Sequence, residues 1–255
     1  MAISREVQAL LNSDANIAAL DRHYQTVMQR IVRELAYGVS RPGAARATAL
    51  IRRINELINQ ISPKRASFVK RWIQKELKKA YVLGDRQATR ELRAALKQST
   101  DPAAKTVQIN RTFSAVNATS MKAVTAAMEL RLTKVAEDLR TRMGLIIRRT
   151  QQNLVSDAAI REQTTGGLIR GASGRQISDD IARVILGKKI SPEVRRRMAD
   201  QGFRGDLFNE FEKVARQELI TVGKKTMNVR SYADMVSRTQ LREAHKVGTV
   251  VRLQQ

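Results

Sequence analysis

Few side chains in this sequence belong to the types that do covalent or metal chemistry. Its 255 residues include two histidines, His23 and His245, and no cysteine. Neither histidine has a His, Asp or Glu one helical turn away, so neither starts a metal-ligand pair. His245 is a candidate base, but the nearest acid, Glu243, is two residues away and faces elsewhere on a helix. It is expected to lie on a helix surface. Asp179 and Asp180 are adjacent and would point apart on a helix, where they suit the positive end of the dipole better than a shared cation. No G-x-S-x-G elbow is present, and the glycines at Gly166, Gly167, Gly171 and Gly174 are not followed by Lys-Ser or Lys-Thr as a nucleotide-phosphate loop requires. The expectation is a protein without catalytic residues, bound metal or cofactor.

Binding chemistry is better represented. Lys and Arg total 47 against 24 Asp and Glu, a net charge of +23. The excess is spread along the chain and is not confined to a tail. Paired basic residues recur at Lys64-Arg65, Lys70-Arg71, Lys78-Lys79, Arg148-Arg149 and Lys188-Lys189, with a triplet at Arg195-Arg196-Arg197. A surface of this kind neutralises phosphates and releases their counterions, which favours a polyanion partner. No helix carries a set of base-reading side chains, so binding is expected to be independent of sequence. Trp72 and Tyr81 are too isolated for a stacking platform and are expected in the core. The segment Ile169 to Ile177, with Gly171 and Gly174, resembles the G-x-x-G loop of KH nucleic-acid modules. Its flanks read as helix rather than the strands such a module needs.

The elements that position these residues are mainly helical. Apolar residues make up 42% of the chain and aromatics only 4%, which suits thin helix bundles. Ile17, Leu20, Tyr24, Val27, Ile31 and Leu35 step by three and four, as a coiled-coil-like helix requires. Asp14 can cap that helix, and a short one is expected before it over Ser4 to Leu11. The Gly38–Gly43 stretch, with Arg41-Pro42, breaks the pattern. Leu50, Ile54, Leu57 and Ile61 form the next stripe. Ser62-Pro63 reads as the start of a helix carrying Val69, Ile73, Leu77 and Ala80. Gly84-Asp85 reads as its stop, with a short helix over Arg86 to Leu96. Asp101-Pro102 opens another. The longest pattern runs from Met121 to about Leu154, with Val124, Met128, Leu132, Val135, Leu139, Met143 and Ile146 in register. Such a helix needs a partner, either the earlier stripes or a second copy of the chain.

Crowded glycines after Asp157 place a boundary there. Residues 1–156 form a basic helical body, and residues 157–255 form a second region of short helices over Ser178–Leu186, Pro192–Ala199, capped at Ser191-Pro192, and Asp206–Leu219. Leu219-Ile220-Thr221-Val222, a turn at Gly223, and Thr226-Met227-Asn228-Val229 read as a β-hairpin. Ser231 is then expected to cap a final helix with Tyr232, Met235, Val236 and Thr239 on one face, and Arg238, Arg242 and Lys246 close to another. The expected fold is an elongated multi-helix bundle with one hairpin near the carboxyl end. No run reaches the ~18 apolar residues a membrane span needs, and the early charges of the first residues do not suit a secretory signal.

The final stretch also carries a family likeness. Arg230 to His245 resembles the "SYA-x-M-x-x-RT" signature of phage minor capsid, or head-morphogenesis, proteins, in which a small hairpin precedes a polar helix. Gly174 to Ala182 resembles the "G-x-x-I-x-x-I-A" step of the same family, and the likeness extends from about Ile160 to Val250. It implies a non-enzymatic protein inside a tailed-phage head, made in the host cytoplasm. It would be bound to the portal or the major capsid protein and would assist assembly or DNA delivery. Combined with the charge, it implies contact with packaged double-stranded DNA. Docking is then expected through Val222, Met227, Val229, Tyr232, Met235 and Arg238, with the basic body facing the genome. The alternative is a sequence-independent nucleic-acid-binding module with no capsid role.

Overall fold

A computed structural model describes residues 14–39, 43–98, 115–163, 174–200, 202–203, 205–223 and 225–253. The expected helices at Ser4–Leu11 and after Asp101, and the Gly166–Gly171 stretch, lie wholly or partly outside those residues. The described chain is mainly α, with eight helices and a two-stranded hairpin. In order these are α1 (Asp14–Val39), α2 (Ala44–Asn59), α3 (Ser67–Gln98), α4 (Ala115–Gln163), α5 (Gly174–Ile185), α6 (Pro192–Asp200), α7 (Asp206–Ala215), β1 (Glu218–Val222), β2 (Lys225–Asn228) and α8 (Val229–Leu253).

The apolar stripes become the core. Ile17, Leu20, Tyr24, Val27, Ile31 and Leu35 of α1 are all buried, as are Val124, Met128, Leu132, Val135, Leu139, Met143 and Ile146 of α4. On α2 the buried row is Leu50, Ile54 and Ile58, so Ile58 takes the inward place expected of Leu57. The observed row advances by four, about 40° per step on a helix of 3.6 residues per turn, so three residues so spaced still share one face.

Residues pack into two units that are discontinuous in sequence, whereas the sequence reading divides the chain at one point. The first comprises the described residues of Met1–Arg22, Ala66–Thr133 and Ala233–Gln255. Here Trp72 is buried on α3 and donates its indole N–H to the Asn16 carbonyl at 2.8 Å. Gly84 does not end a helix, since α3 runs through it from Ser67 to Gln98. Its role is close packing. A Cβ on Gly84 would collide with the His245 carbonyl of α8, and one on Gly248 would collide with the Tyr81 carbonyl of α3. The two backbones cross where neither residue has a side chain, flanked by buried Ala80, Ala88 and Ala244. Thr249 Oγ1 donates to the Gly84 carbonyl at 3.3 Å. Next to the crossing, the nearly buried Arg252 guanidinium donates to Thr89 Oγ1 at 2.9 Å and lies 3.7 Å from Asp85.

The second unit comprises His23–Arg65 and the described residues of Lys134–Tyr232. Tyr24 donates its hydroxyl to the Ile61 carbonyl at 3.0 Å, and burial pushes its pKa up. Gln151 of α4 is buried and serves two helix ends at once. Its amide donates to the Val39 carbonyl at 3.2 Å, and its Oε1 accepts from the Gly43 N–H at 2.9 Å. Groups at helix termini lack partners within the helix, and here one side chain supplies two of them. Ser62-Pro63 forms a turn and not a helix start: the Arg65 N–H bonds to the Ser62 carbonyl at 3.0 Å, and α3 begins only at Ser67. At Ser191-Pro192 the cap forms as expected, with Ser191 Oγ accepting from the Val194 N–H at 3.3 Å.

The hairpin pairs Ile220 with Met227 and Val222 with Lys225, and Gly223 holds φ 60° in the turn. An irregularity between Glu218 and Ile220 lets Leu219 and Ile220 both turn inward, which strict alternation would forbid. Val229 is not a strand residue. It is the fully buried first residue of α8. The cap of α8 is Asn228, whose Oδ1 accepts the Arg230 N–H at 2.9 Å, in place of the expected Ser231.

Two glycines test this packing in opposite directions. Gly84→Ala should lower stability by about 1–3 kcal/mol or more, because backbone must move to admit the methyl group. Gly144→Ala on α4 meets nothing within 4 Å and should raise stability by about 0.5–1 kcal/mol. Denaturant melts of both variants measure the contrast.

Candidate nucleic-acid interface

In the first unit, burial of one side of α3 turns its charges to the other side. Val69, Trp72, Ile73, Leu77 and Ala80 are buried, and Lys70, Arg71, Lys75, Lys78 and Lys79 are exposed. Arg71, Lys75, Lys78 and Lys79, with Arg86, Arg90 and Arg93 further along, recur at three, four and seven or eight residues. At about 100° per residue they occupy roughly one third of the helix circumference. Arg71 to Arg93 spans about 33 Å at a rise of about 1.5 Å per residue. That length is close to the ~34 Å of one duplex turn.

No carboxylate stands within this row. Glu76 lies at its margin, buried and held by Lys79 at 3.0 Å. Asp85 is half-buried beside Arg252. Glu91 accepts from the Gln87 amide at 2.9 Å. Lys70 is exposed but lies outside the row. The expected pairs thus contribute Arg71, Lys78 and Lys79. Lys75, Arg86, Arg90 and Arg93 were missed because adjacency is no guide to a helix face. Spacing of three and four was the signal to follow.

In the second unit the expected basic residues divide into two groups. Lys64, Arg65, Arg148, Arg149, Lys188, Lys189, Arg195 and Arg196 are exposed. Lys64 lies 3.8 Å from Glu137. Arg195 donates to Glu212 at 2.6 Å and rests 4.7 Å above the Phe208 ring. Lys188, Lys189 and Arg195 line a concavity of about 390 Å³ with Arg216 and Glu212. Arg197 belongs to the fold instead. It donates to the buried Asp180 carboxylate at 2.7 Å, and that hydrogen bond, reinforced by the charge, raises its pKa. Asp179 and Asp180 therefore do not serve a helix N-terminus: they are the sixth and seventh residues of α5, with Asp180 an internal counter-ion.

Similar structural use is made of Arg142, which joins Glu210 at 2.9 Å and the Leu219 carbonyl at 2.9 Å. Burial pushes the Glu210 carboxyl up, but bonds from Lys213 and Arg142 outweigh it and hold the pKa low.

The expected docking residues are also divided. Val222 and Met235 are exposed, at 42% and 41%. Met227 and Tyr232 are half-buried. Arg238 is half-buried and bonds to Asp234 at 3.0 Å. Val229 is buried completely and has no surface to offer a partner.

His245 is half-buried instead of lying on the surface, and its Nε2 has no hydrogen-bond partner among the described residues. Burial lowers its pKa and Glu91 partly opposes this. His23 places Nε2 2.7 Å from the Gln60 carbonyl. Among the described residues no three His, Asp or Glu side chains gather as a metal site, and no helix is long and apolar enough to cross a membrane. No protein-family model matches the chain, and no curated protein or solved structure matches it.

Two outcomes are expected. Stability should fall as pH drops below about 6.5, the ordinary His value. In that window the unfolded chain takes up a proton that half-buried His245 resists, so stability rises with pH. His245→Gln should flatten this part of a stability–pH curve. Arg197→Gln should lower the thermal midpoint by stranding buried Asp180, while exposed Arg196→Gln should leave it nearly unchanged.

Proposed function

We propose that this is a non-enzymatic structural protein that binds duplex DNA without reading its sequence, and that it works as a minor capsid protein inside a tailed-phage head near the portal. The observation that carries the DNA part is the basic row on α3, rigid, free of carboxylates and about one duplex turn long. Cations carried on a helix meet a phosphate backbone with their own backbone already ordered, and the lack of base-reading groups leaves affinity to counterion release. The capsid part rests on the likeness of the Arg230–His245 segment to head-morphogenesis proteins. In this reading the exposed Val222 and Met235 serve the portal or the major capsid protein, and the basic faces serve packaged DNA. A free nucleic-acid-binding module with no capsid role is the second reading, favoured by the same row on α3.

Unrelated duplexes should bind alike, with log affinity falling steeply against log salt. Replacing Arg71, Lys75 and Lys78 by Gln should reduce that slope by about 0.9 per lost phosphate contact. A flat salt response, or strong preference for one duplex, would overturn the DNA reading.

Docking is tested by virion content. Deleting everything beyond Arg216 would remove α8, whose Gly248 packs against α3, so single changes are the sounder probe. Val222→Glu and Met235→Glu should leave DNA binding intact and deplete the protein from purified heads. Normal incorporation of both variants would place the docking surface elsewhere, and absence of the unaltered protein from heads would favour the free module.

A further inference from the structure

The concavity after α5 differs from the other basic surfaces because its cations converge. Lys188, Lys189, Arg195 and Arg216 all line it, and Val184, Ile190 and Ala215 supply an apolar part of the lining. Its four cations face one lining carboxylate, Glu212. Both arginines are already steadied. Arg195 is held by Glu212 and lies over the Phe208 ring, and Arg216 donates to Glu218 at 3.1 Å. Lys188 and Lys189 have no carboxylate within ion-pair distance among the described residues. The backbone N–H groups of Lys189 and Ile190 have no backbone acceptor among those residues either. The segment turns because Gly187 takes φ 69°, closing α5 with a Lys188 N–H bond to the Arg183 carbonyl at 3.0 Å. The two lysines therefore follow directly from the way the helix ends.

We propose that this concavity is a phosphate site that takes a terminal phosphate monoester, a dianion, in preference to the singly charged diesters within a strand. At about 390 Å³ it is of ligand-binding size. Convergent ammonium and guanidinium groups favour the doubly charged group, and the apolar lining strengthens each charge-assisted bond. A free phosphorylated small molecule and the 5′-phosphate of a DNA strand present the same chemistry. Only the second source rests on the nucleic-acid reading above.

The test uses the full chain, inorganic phosphate, and a short single-stranded oligonucleotide with either a 5′-phosphate or a 5′-hydroxyl. At moderate salt the phosphorylated strand should bind about tenfold more tightly than its twin, the effect of one additional charge-assisted contact. Lys188→Ala combined with Lys189→Ala should abolish that preference. Lys75→Ala with Lys78→Ala, on α3, should leave it intact. Glu212→Gln should tighten phosphate binding by freeing Arg195. Inorganic phosphate should compete with the phosphorylated strand, showing that the group itself is recognised. Equal binding of the two strands, failure of phosphate to compete, or a preference that survives loss of both lysines would overturn the proposal. Intact duplex binding without any 5′-phosphate preference would sink this site alone. A 5′-phosphate preference without duplex binding would sink the duplex reading alone.

Discussion

Each long helix of this protein has to hide a narrow stripe of Leu, Ile, Val, Met and Ala side chains, and the rest of the structure depends on that requirement. Aromatics are few, so aliphatic side chains fill most of the core. Helices must approach closely, and at Gly84 and Gly248 they do so until carbonyl oxygens occupy the place of a side chain. A glycine within a helix costs about 1 kcal/mol in propensity. Close packing of α3 against α8 offsets this, and α3 continues through a residue that would otherwise favour an end.

Hiding the stripe also distributes the charge. On α3 the apolar residues face inward, so basic residues at three- and four-residue spacing are collected on the outward side. The few acids near them are withdrawn from the row: Glu76 is buried against Lys79, and Asp85 faces Arg252. A high net charge becomes a directed surface because burial sorts the acids and bases differently. In an unfolded chain the same residues would present a diffuse positive field with acids interspersed.

Several polar side chains enter the interior in satisfied pairs, because an unpaired buried group is costly, whereas His245 Nε2 has no partner among the described residues. Gln151 joins two helix ends, Asp180 holds Arg197, and Arg142 ties Glu210 to the Leu219 carbonyl. Some basic residues are therefore internal fastenings. Arg197 and Arg196 are neighbours of identical type, yet one is committed to Asp180 and the other is exposed to solvent.

The sequence by itself determined the mainly helical class, the inward rows of α1, α3 and α4, the Ser191 cap and the single hairpin. All of these rest on local spacing and local backbone chemistry, which the order of residues records directly. Tertiary structure alone decided the rest. Gly84 reads locally as a helix stop, and only His245, 161 positions away in the chain, makes it a crossing point. Val229 reads as a strand residue, and only the Asn228 cap and its own burial place it in α8. The basic row on α3 was half legible, since pairs such as Lys78-Lys79 stand out by eye. Its members Lys75, Arg86, Arg90 and Arg93 emerge only when the helix is known to run unbroken. The concavity was legible only as two unconnected clusters, Lys188-Lys189 and the triplet holding Arg195, because α6 brings Arg195 and the end of α7 brings Glu212 and Arg216 to it. Contacts between distant residues depend on how whole faces pack, and a spacing pattern within one segment carries no record of them.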